Sequence, residues 1–280
     1  MDNATHIHIS AETRPFQLKL GELWQYRELV LLFTRRHFAV SYKQTILGPL
    51  WLLLNPLLTS VVYVILFGNI AKLSTDGVPQ LLFYFCGTSL WSFFSSCVSR
   101  NADTFTGNAG LFGKIYFPRL VVPCANVLSS MLQLLIQLLP AAALLIYYCV
   151  TGVVHPRWAL WPLLIPAVLL LGLMGLGVGI IISSMTTKYR DLSVLVGFGL
   201  QLWMYGSSVV YPVSSLSGGL RQLVLWNPVT AVFELVRHVL FGSGSLLWDR
   251  LLYALLFTLT VDLLGIAVFN RVERTFMDTV

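Results

Sequence analysis

The sequence predicts an all-α membrane protein of six transmembrane helices. An amphipathic interfacial helix leads in, and two short re-entrant helices precede the last span. Three observations carry that prediction. Of 280 residues, 56% are hydrophobic and only 11% charged, whereas a soluble domain holds about 25% charged residues. Six apolar runs are each long enough, at about 1.5 Å per residue, to cross roughly 30 Å of hydrocarbon. The cationic residues gather on alternate loops. Residues 1–280 therefore read as one transmembrane domain.

The chain opens without an apolar h-region: Asp2, Glu12, Arg14, Lys19, Glu22, Arg27 and Glu28 all fall in the first 30 residues, so no secretory signal is expected. His6 and His8 lie in this polar stretch and read as terminal residues rather than a metal pair. Over 20–36, Leu20, Leu23, Trp24 and Leu31 fall on one helical face with Glu22, Gln25 and Glu28 off it. An in-plane interfacial helix fits this pattern, with an ordinary cytoplasmic helix as the alternative. Arg27 breaks the pattern by sitting inside the apolar face.

Spans one to five occupy 48–211, at 48–69, 81–100, 123–149, 161–185 and 192–211, and the sixth covers 251–270. With both termini placed in the cytoplasm, thirteen of the eighteen Lys and Arg residues are cytoplasmic, as the positive-inside rule requires. The net charge of +6 thus reads as topology, and no nucleic-acid partner is expected. Between spans five and six, 213–249 is of intermediate polarity, carries Arg221, Glu234, Arg237 and His238, and is split at Asn227-Pro228. An ionised side chain costs about 2.5–3.5 kcal/mol or more at a helix centre, and proline removes a helix hydrogen bond. Two short half-helices dipping in from the outer face fit better than a seventh span.

Little catalytic chemistry is legible. Gly113-Lys114 invites a nucleotide-loop reading, but the required first glycine is Asn108 and the following hydroxyl residue is Ile115. Cys86, Cys97, Cys124 and Cys149 form no C-x-x-C pair and read as small buried side chains. Asp262 lies within span six, either as a proton-relay group or hydrogen-bonded to a neighbouring span. Glu234, Arg237 and His238 at i, i+3, i+4 read as a surface ion pair on a helix. Gly175 to Gly179 form a G-x-x-x-G repeat that permits close helix approach. Trp51, Tyr63, Phe67, Trp203, Tyr205 and Tyr211 fall in spans one and five, where rings could stack on sugar faces or simply belt the membrane interface.

Several segments, taken in order, resemble one family. "YKQTILGPLW" (42–51), "LFGKIYFPRLVVP" (111–123), "KYRDL" (188–192), "YP" (211–212), "NP" (227–228), Glu234 and Arg237 are similar to the permease subunit of type-2 ABC exporters for polysaccharides: O-antigen, capsule and teichoic acid transporters. The likeness runs from about Leu20 to Phe276. Where the family often has Ser-Pro before the Tyr-Pro, this chain has Ser207-Ser208-Val209.

The resemblance implies a homodimer in a bacterial cytoplasmic (inner) membrane, paired with two copies of a separate ABC ATPase. ATP and magnesium would sit on that partner, this chain binding no cofactor and catalysing no reaction. A lipid-linked polysaccharide is the implied substrate, and the six aromatics of spans one and five its path. Asn227, Pro228, Glu234 and Arg237 would form the outer gate. Leu111, Phe112, Lys114, Ile115, Tyr116, Phe117 and Arg119, with Tyr189, Arg190 and Asp191, would couple to the ATPase. On this reading "GLFGKIYFPRLVVP" is a short cytoplasmic helix whose Phe112, Ile115 and Tyr116 fill a cleft on the partner, with Pro123 in the first turn of span three. Alternatives are a type-2 ABC permease for drugs or lipids, an ion-coupled transporter using Asp262 and Glu234, and a membrane transferase. No internal repeat or catalytic cluster supports the last two.

Overall fold

A computed structural model describes residues 20–43, 46–112, 117–189 and 191–279. His6, His8, Gly113, Lys114, Ile115, Tyr116 and Arg190, singled out above, lie outside these residues. The regular secondary structure of the described residues is all helical, with no strand among them. Five helical stretches are long and apolar enough to cross a membrane: Gly48–Ile70, Gln80–Ala102, Val121–Val150, Trp158–Thr186 and Trp248–Val272.

The helices run α1 (Leu20–Gln25), α2 (Arg27–Tyr42), α3 (Trp51–Tyr63), α4 (Gln80–Ala102), α5 (Thr104–Phe112), α6 (Val121–Val150), α7 (Leu164–Thr186), α8 (Leu192–Tyr205), α9 (Gly218–Leu225), α10 (Pro228–Phe241) and α11 (Trp248–Thr279). A 3₁₀ turn, Gly48–Leu50, leads into α3, and a wide π turn, Val64–Ile70, ends it. The sequence-predicted helix over 20–36 is in fact two, broken at Tyr26, and the second runs on to Tyr42.

At the centre stands α4, mostly buried, whereas the stretches Gly48–Ile70 and Trp248–Val272 are largely exposed. It packs chiefly on α7 and α6, while α11 lies on the other side of α7. The glycine repeat sets these distances. A Cβ at Gly175 would lie 2.6 Å from Cys97 Cβ, and one at Gly179 2.5 Å from Asn101 Cβ, so both glycines let α7 close on α4. Gly177 faces the opposite way, where Gly265 of α11 comes so near that a Cβ there would be 3.1 Å from the Gly177 carbonyl oxygen. Small residues are the usual means of such approach in a bilayer, where apolar attraction between helices is weak. Asp262 sits on this α7–α11 seam against Gly177.

A polar stripe holds α6 to its neighbours. Asn126, Ser129, Ser130, Gln133 and Gln137 recur at helical spacing on one face. Arg100 of α4 donates to Ser129 Oγ at 2.8 Å and Gln133 Oε1 at 3.1 Å. Asn126 Nδ2 donates to the Arg100 carbonyl and to Asn101 Oδ1, each at 3.1 Å, and Gln137 Nε2 to the Leu52 carbonyl at 3.1 Å. Buried polar groups are costly unless paired; Ser130 Oγ bonds within α6, to the Asn126 carbonyl at 2.9 Å, while Asn126, Ser129, Gln133 and Gln137 pair across to neighbouring helices.

The fifth predicted span, 192–211, is corrected. Only Leu192–Tyr205 is helical, 14 residues, or about 21 Å. Gly206 to Tyr211 form turns instead. Proline 212 cannot donate to a continuing helix and biases Tyr211 towards extended backbone. The carbonyls just beyond α8 are taken by side chains of the next segment, described below.

Candidate functional site

Among the described residues, a densely bonded polar site lies where α9 and α10 meet the chain leaving α8. The two helices meet at 91° across Trp226-Asn227. Pro228 fits the first turn of α10, where its missing N–H is not needed. Asn227 caps that helix, accepting the Val229 N–H at 3.1 Å. The same oxygen accepts Trp203 Nε1–H at 3.1 Å, and Asn227 Nδ2 donates to the Gly206 carbonyl at 2.9 Å and Ser207 Oγ at 2.8 Å. One amide thus fixes both the bend and the end of α8.

One helix length away, Arg237 does the same for the chain just beyond. It donates to Glu234 Oε1 at 3.1 Å, the Val209 carbonyl at 3.1 Å and the Tyr211 carbonyl at 3.3 Å. Its guanidinium lies over the Phe83 ring of α4. Glu234 Oε2 accepts the Ser245 N–H at 3.4 Å, and His238 Nδ1 lies 3.1 Å from the Gly244 carbonyl. Gly244, at φ +78°, leaves room for Glu234, since a Cβ there would lie 3.2 Å from its Oε2. Gly87 performs the matching service on α4, where a Cβ would stand 2.9 Å from the Val209 carbonyl oxygen. Contrary to the surface pair expected from sequence, Glu234, Arg237 and His238 are all buried. The Glu234 and Arg237 charges survive there because they are paired with each other and further hydrogen-bonded.

The aromatic residues of spans one and five divide into two groups. Four turn inward. Trp203 packs edge-on to Phe94 with centroids 5.1 Å apart, Tyr63 meets Phe67 at 5.4 Å, Tyr63 Oη points at Met204 Sδ at 3.7 Å, and Tyr211 Oη donates to the Tyr205 carbonyl at 2.7 Å. These contacts join α3, α4 and α8. Of the six aromatics singled out from sequence, Trp51 and Tyr205 present their rings outward, 41% and 45% exposed. Beyond them, α8 and α3 expose apolar faces including Phe198, Leu202, Leu58 and Val62.

At the opposite end of α4 is a second aromatic core. Phe112 and Phe117 are buried and pack 5.7 Å apart. Phe117 also meets Phe33 of α2 at 5.7 Å, Phe105 stacks on Phe269 of α11 at 4.6 Å, and the Arg119 guanidinium lies 5.5 Å from the Phe112 ring centre. Leu111 packs against the same cluster. Phe112 therefore fills this chain's own core and not a cleft on a partner, correcting the expectation from sequence. A short helix, α5 (Thr104–Phe112), leads into the expected segment, whose residues 113–116 lie outside the described residues, and Pro123 falls in the first turn of α6. Tyr189 and Asp191 are exposed. The end of α7 just before them is tied to α5 and to the end of α4: Ser183 Oγ accepts the Phe105 N–H at 3.2 Å and Thr186 Oγ1 donates to the Ala102 carbonyl at 3.3 Å.

Several members of these clusters escaped sequence reasoning. Phe83 and Gly87 gave no local signal. The stripe at 126, 129, 130, 133 and 137 did give one, since polar residues at helical spacing in an apolar run mark a buried polar face. Among the described residues, no group of three His, Cys, Asp or Glu side chains could hold a metal ion. The four cysteines are free thiols, two buried and two half-buried.

The ABC-2 type transporter family matches residues 28–241 of this chain. An O-antigen export system permease protein RfbA of Klebsiella pneumoniae is 27% identical, over 90% of this chain and 94% of its own. The RfbA permease of Myxococcus xanthus is 31% identical over 75% of this chain and 79% of its own. The polysialic acid transport protein KpsM of Escherichia coli is 23% identical over 86% and 92%. With the family match covering most of the helical bundle and both clusters lying at its ends, this chain belongs to the ABC-2 type transporter family of membrane proteins.

Proposed function

We propose that this chain is the membrane-spanning subunit of an ATP-driven exporter of lipid-linked polysaccharide, of O-antigen or capsule type. The observation that carries the reading is the similarity to O-antigen export permeases along nine-tenths of the chain. In this reading two copies pair with two copies of a separate ABC ATPase, which holds the ATP and magnesium. The complex sits in a bacterial cytoplasmic membrane with both termini inside.

The physics explains why such a subunit is needed. Sugar hydroxyls left unpaired in hydrocarbon cost several kcal/mol each, so the polymer needs a protein-lined path. The exposed faces of α3 and α8 supply such a wall if two copies face one another. Trp51 and Tyr205 are the rings offered to sugar, at two levels of the path; Tyr63, Phe67, Trp203 and Tyr211 act behind them, holding α8 in place. The right-angled α9–α10 pair, locked by Asn227, Pro228, Glu234 and Arg237, serves as the outer gate.

ATP-driven motion enters at the other end. Lys114, Ile115, Tyr116 and Arg190, with the exposed Tyr189 and Asp191, touch the ATPase. Leu111, Phe112, Phe117 and Arg119 pass the movement into α2, α6 and α11 as a packed unit, because a well-packed core shifts as a body rather than deforming.

Deleting the gene tests this. Surface glycan should fall and a lipid-linked polymer should build up inside the cell. Unchanged surface glycan in a strain with no second exporter overturns the proposal.

A further inference from the structure

Arg27 is the residue the transport reading leaves unused. It interrupts the apolar face of the N-terminal helix, yet it stays exposed. Its guanidinium rests 5.7 Å from the ring centre of Trp24 and makes one long hydrogen bond, 3.4 Å, to the Trp24 carbonyl. Among the described residues, no carboxylate forms a salt bridge with it.

Arg27 forms the rim of a groove of about 440 Å³ between α1, α2 and the start of α6. Every other wall residue is apolar: Leu23, Trp24, Val30 and Leu31 on one side, Cys124 and Leu128 on the other. Val30 is buried at the floor of the groove, and Phe33 and Thr34 carry the packing of α2 on α6 beyond it. Trp24 and Leu31 remain 71% and 51% exposed. The groove does not end at Leu128. Leu132, Leu135 and Leu139 continue from it as an exposed stripe along α6, about 16 Å from Leu128 to Leu139, close to one leaflet of a hydrocarbon core of about 30 Å.

We propose that this groove is a binding site for one anionic phospholipid of the membrane, its phosphate on Arg27 and one acyl chain along Leu31, Leu128 and the α6 stripe. A fixed cation above an apolar slot, flanked by an exposed indole, matches a lipid with a charged head and a hydrocarbon tail at the level where tryptophans settle. The occupant stays at one place because the groove supplies both parts of the contact. It also explains the broken amphipathic pattern: Arg27 lies on the apolar face because the lipid's phosphate lies there too.

The test uses the full-length protein in mild detergent, offered phosphatidylglycerol or phosphatidylcholine with matched chains and read by native mass spectrometry. The wild type should retain phosphatidylglycerol about fivefold over phosphatidylcholine, the gain expected from one arginine at an anionic surface. Arg27→Gln should equalise the two, Arg27→Lys should restore the preference, and Leu128→Trp should lower retention of both by filling the slot. Arg35→Gln, an exposed cation on the same helix outside the groove, should change nothing. Equal retention by the wild type, a preference that survives Arg27→Gln, or an equal loss in Arg35→Gln overturns the proposal. Stronger retention of an added polyprenyl phosphate than of phosphatidylglycerol reassigns the groove to a carrier lipid and overturns it as well.

Discussion

The Arg237 guanidinium lies 4.1 Å from the centre of the Phe83 ring, sandwiched between α4 and the chain that leaves α8. From that position it pairs with Glu234, and both side chains are only 5% exposed. Removing one partner leaves an uncompensated buried charge, which costs about 3–5 kcal/mol. Arg237→Ala and Glu234→Ala should each lower the thermal unfolding midpoint in detergent markedly. The double change Glu234→Leu, Arg237→Met should cost less than either single one, because no charge is stranded. A double variant as unstable as the sum of the singles would falsify the pairing argument.

Asn227 offers a graded test. Asn227→Ala loses a helix cap worth about 1 kcal/mol and strands Trp203 Nε1. Asn227→Asp keeps both acceptor contacts but loses the donation to Gly206 and Ser207. Hydrogen exchange over 206–211 should rise in both variants, more in Asn227→Ala. If the aspartate variant exchanges like wild type, the Nδ2 contacts do not hold the end of α8.

Coupling should separate from folding within a single segment. Phe112 is 3% exposed, so Phe112→Ala should cost about 3–5 kcal/mol and reduce the amount of folded protein. Tyr116→Asp should leave folding intact and, in the complex with its ATPase, keep ATP hydrolysis while export stops. Measuring ATPase rate and transport in the same vesicles decides the point; export at the wild-type rate per ATP in Tyr116→Asp refutes the coupling assignment.

The seam between α7 and α11 has no space to give. Gly177→Leu should drive the helices apart and abolish assembly, since a Cβ at that glycine already collides with Asp262. Asp262→Asn keeps the volume and should preserve the fold and most export. Loss of export with an intact fold would instead point to proton movement through Asp262.

His37 gives the junction of α2 and α6 a pH dependence. Burial first, then the positive charges of Arg100 and Arg36, hold its pKa below the ordinary value, against a raising contact from Asn126. A histidine favoured neutral in the fold contributes full stability above the unfolded value of about 6.5 and loses it as pH falls from there towards the folded value. Thermal unfolding should therefore shift downward between pH 7.5 and 5.5, and His37→Gln should reduce the shift. An unchanged pH response in that variant excludes His37 as the cause.

Much of this could be read from the residues. The apolar runs marked the five long helices because hydrocarbon selects for composition and length, which are properties of the chain alone. Asn227-Pro228 marked a break because proline removes a backbone donor wherever it stands. The Gly175–Gly179 spacing marked close helix contact, although only the fold assigned Gly175 and Gly179 to α4 and Gly177 to α11.

Tertiary structure decided what depends on partners far away in the chain. Residue 206 ends α8 because Asn227 and Arg237 draw off the carbonyls at 206, 209 and 211, contacts that span 21 to 28 residues. Glu234 and Arg237 have the spacing of a surface pair and became a buried lock because Phe83, Gly87 and Gly244 make room for them. Phe112 seemed available to a partner until Phe105, Phe117 and Arg119 closed around it. Hydropathy acts on each segment by itself, so the sequence determines which stretches are helices and which enter the membrane. The choice of buried face, and the carbonyl on which a side chain spends its hydrogen bonds, exists only once the helices are assembled.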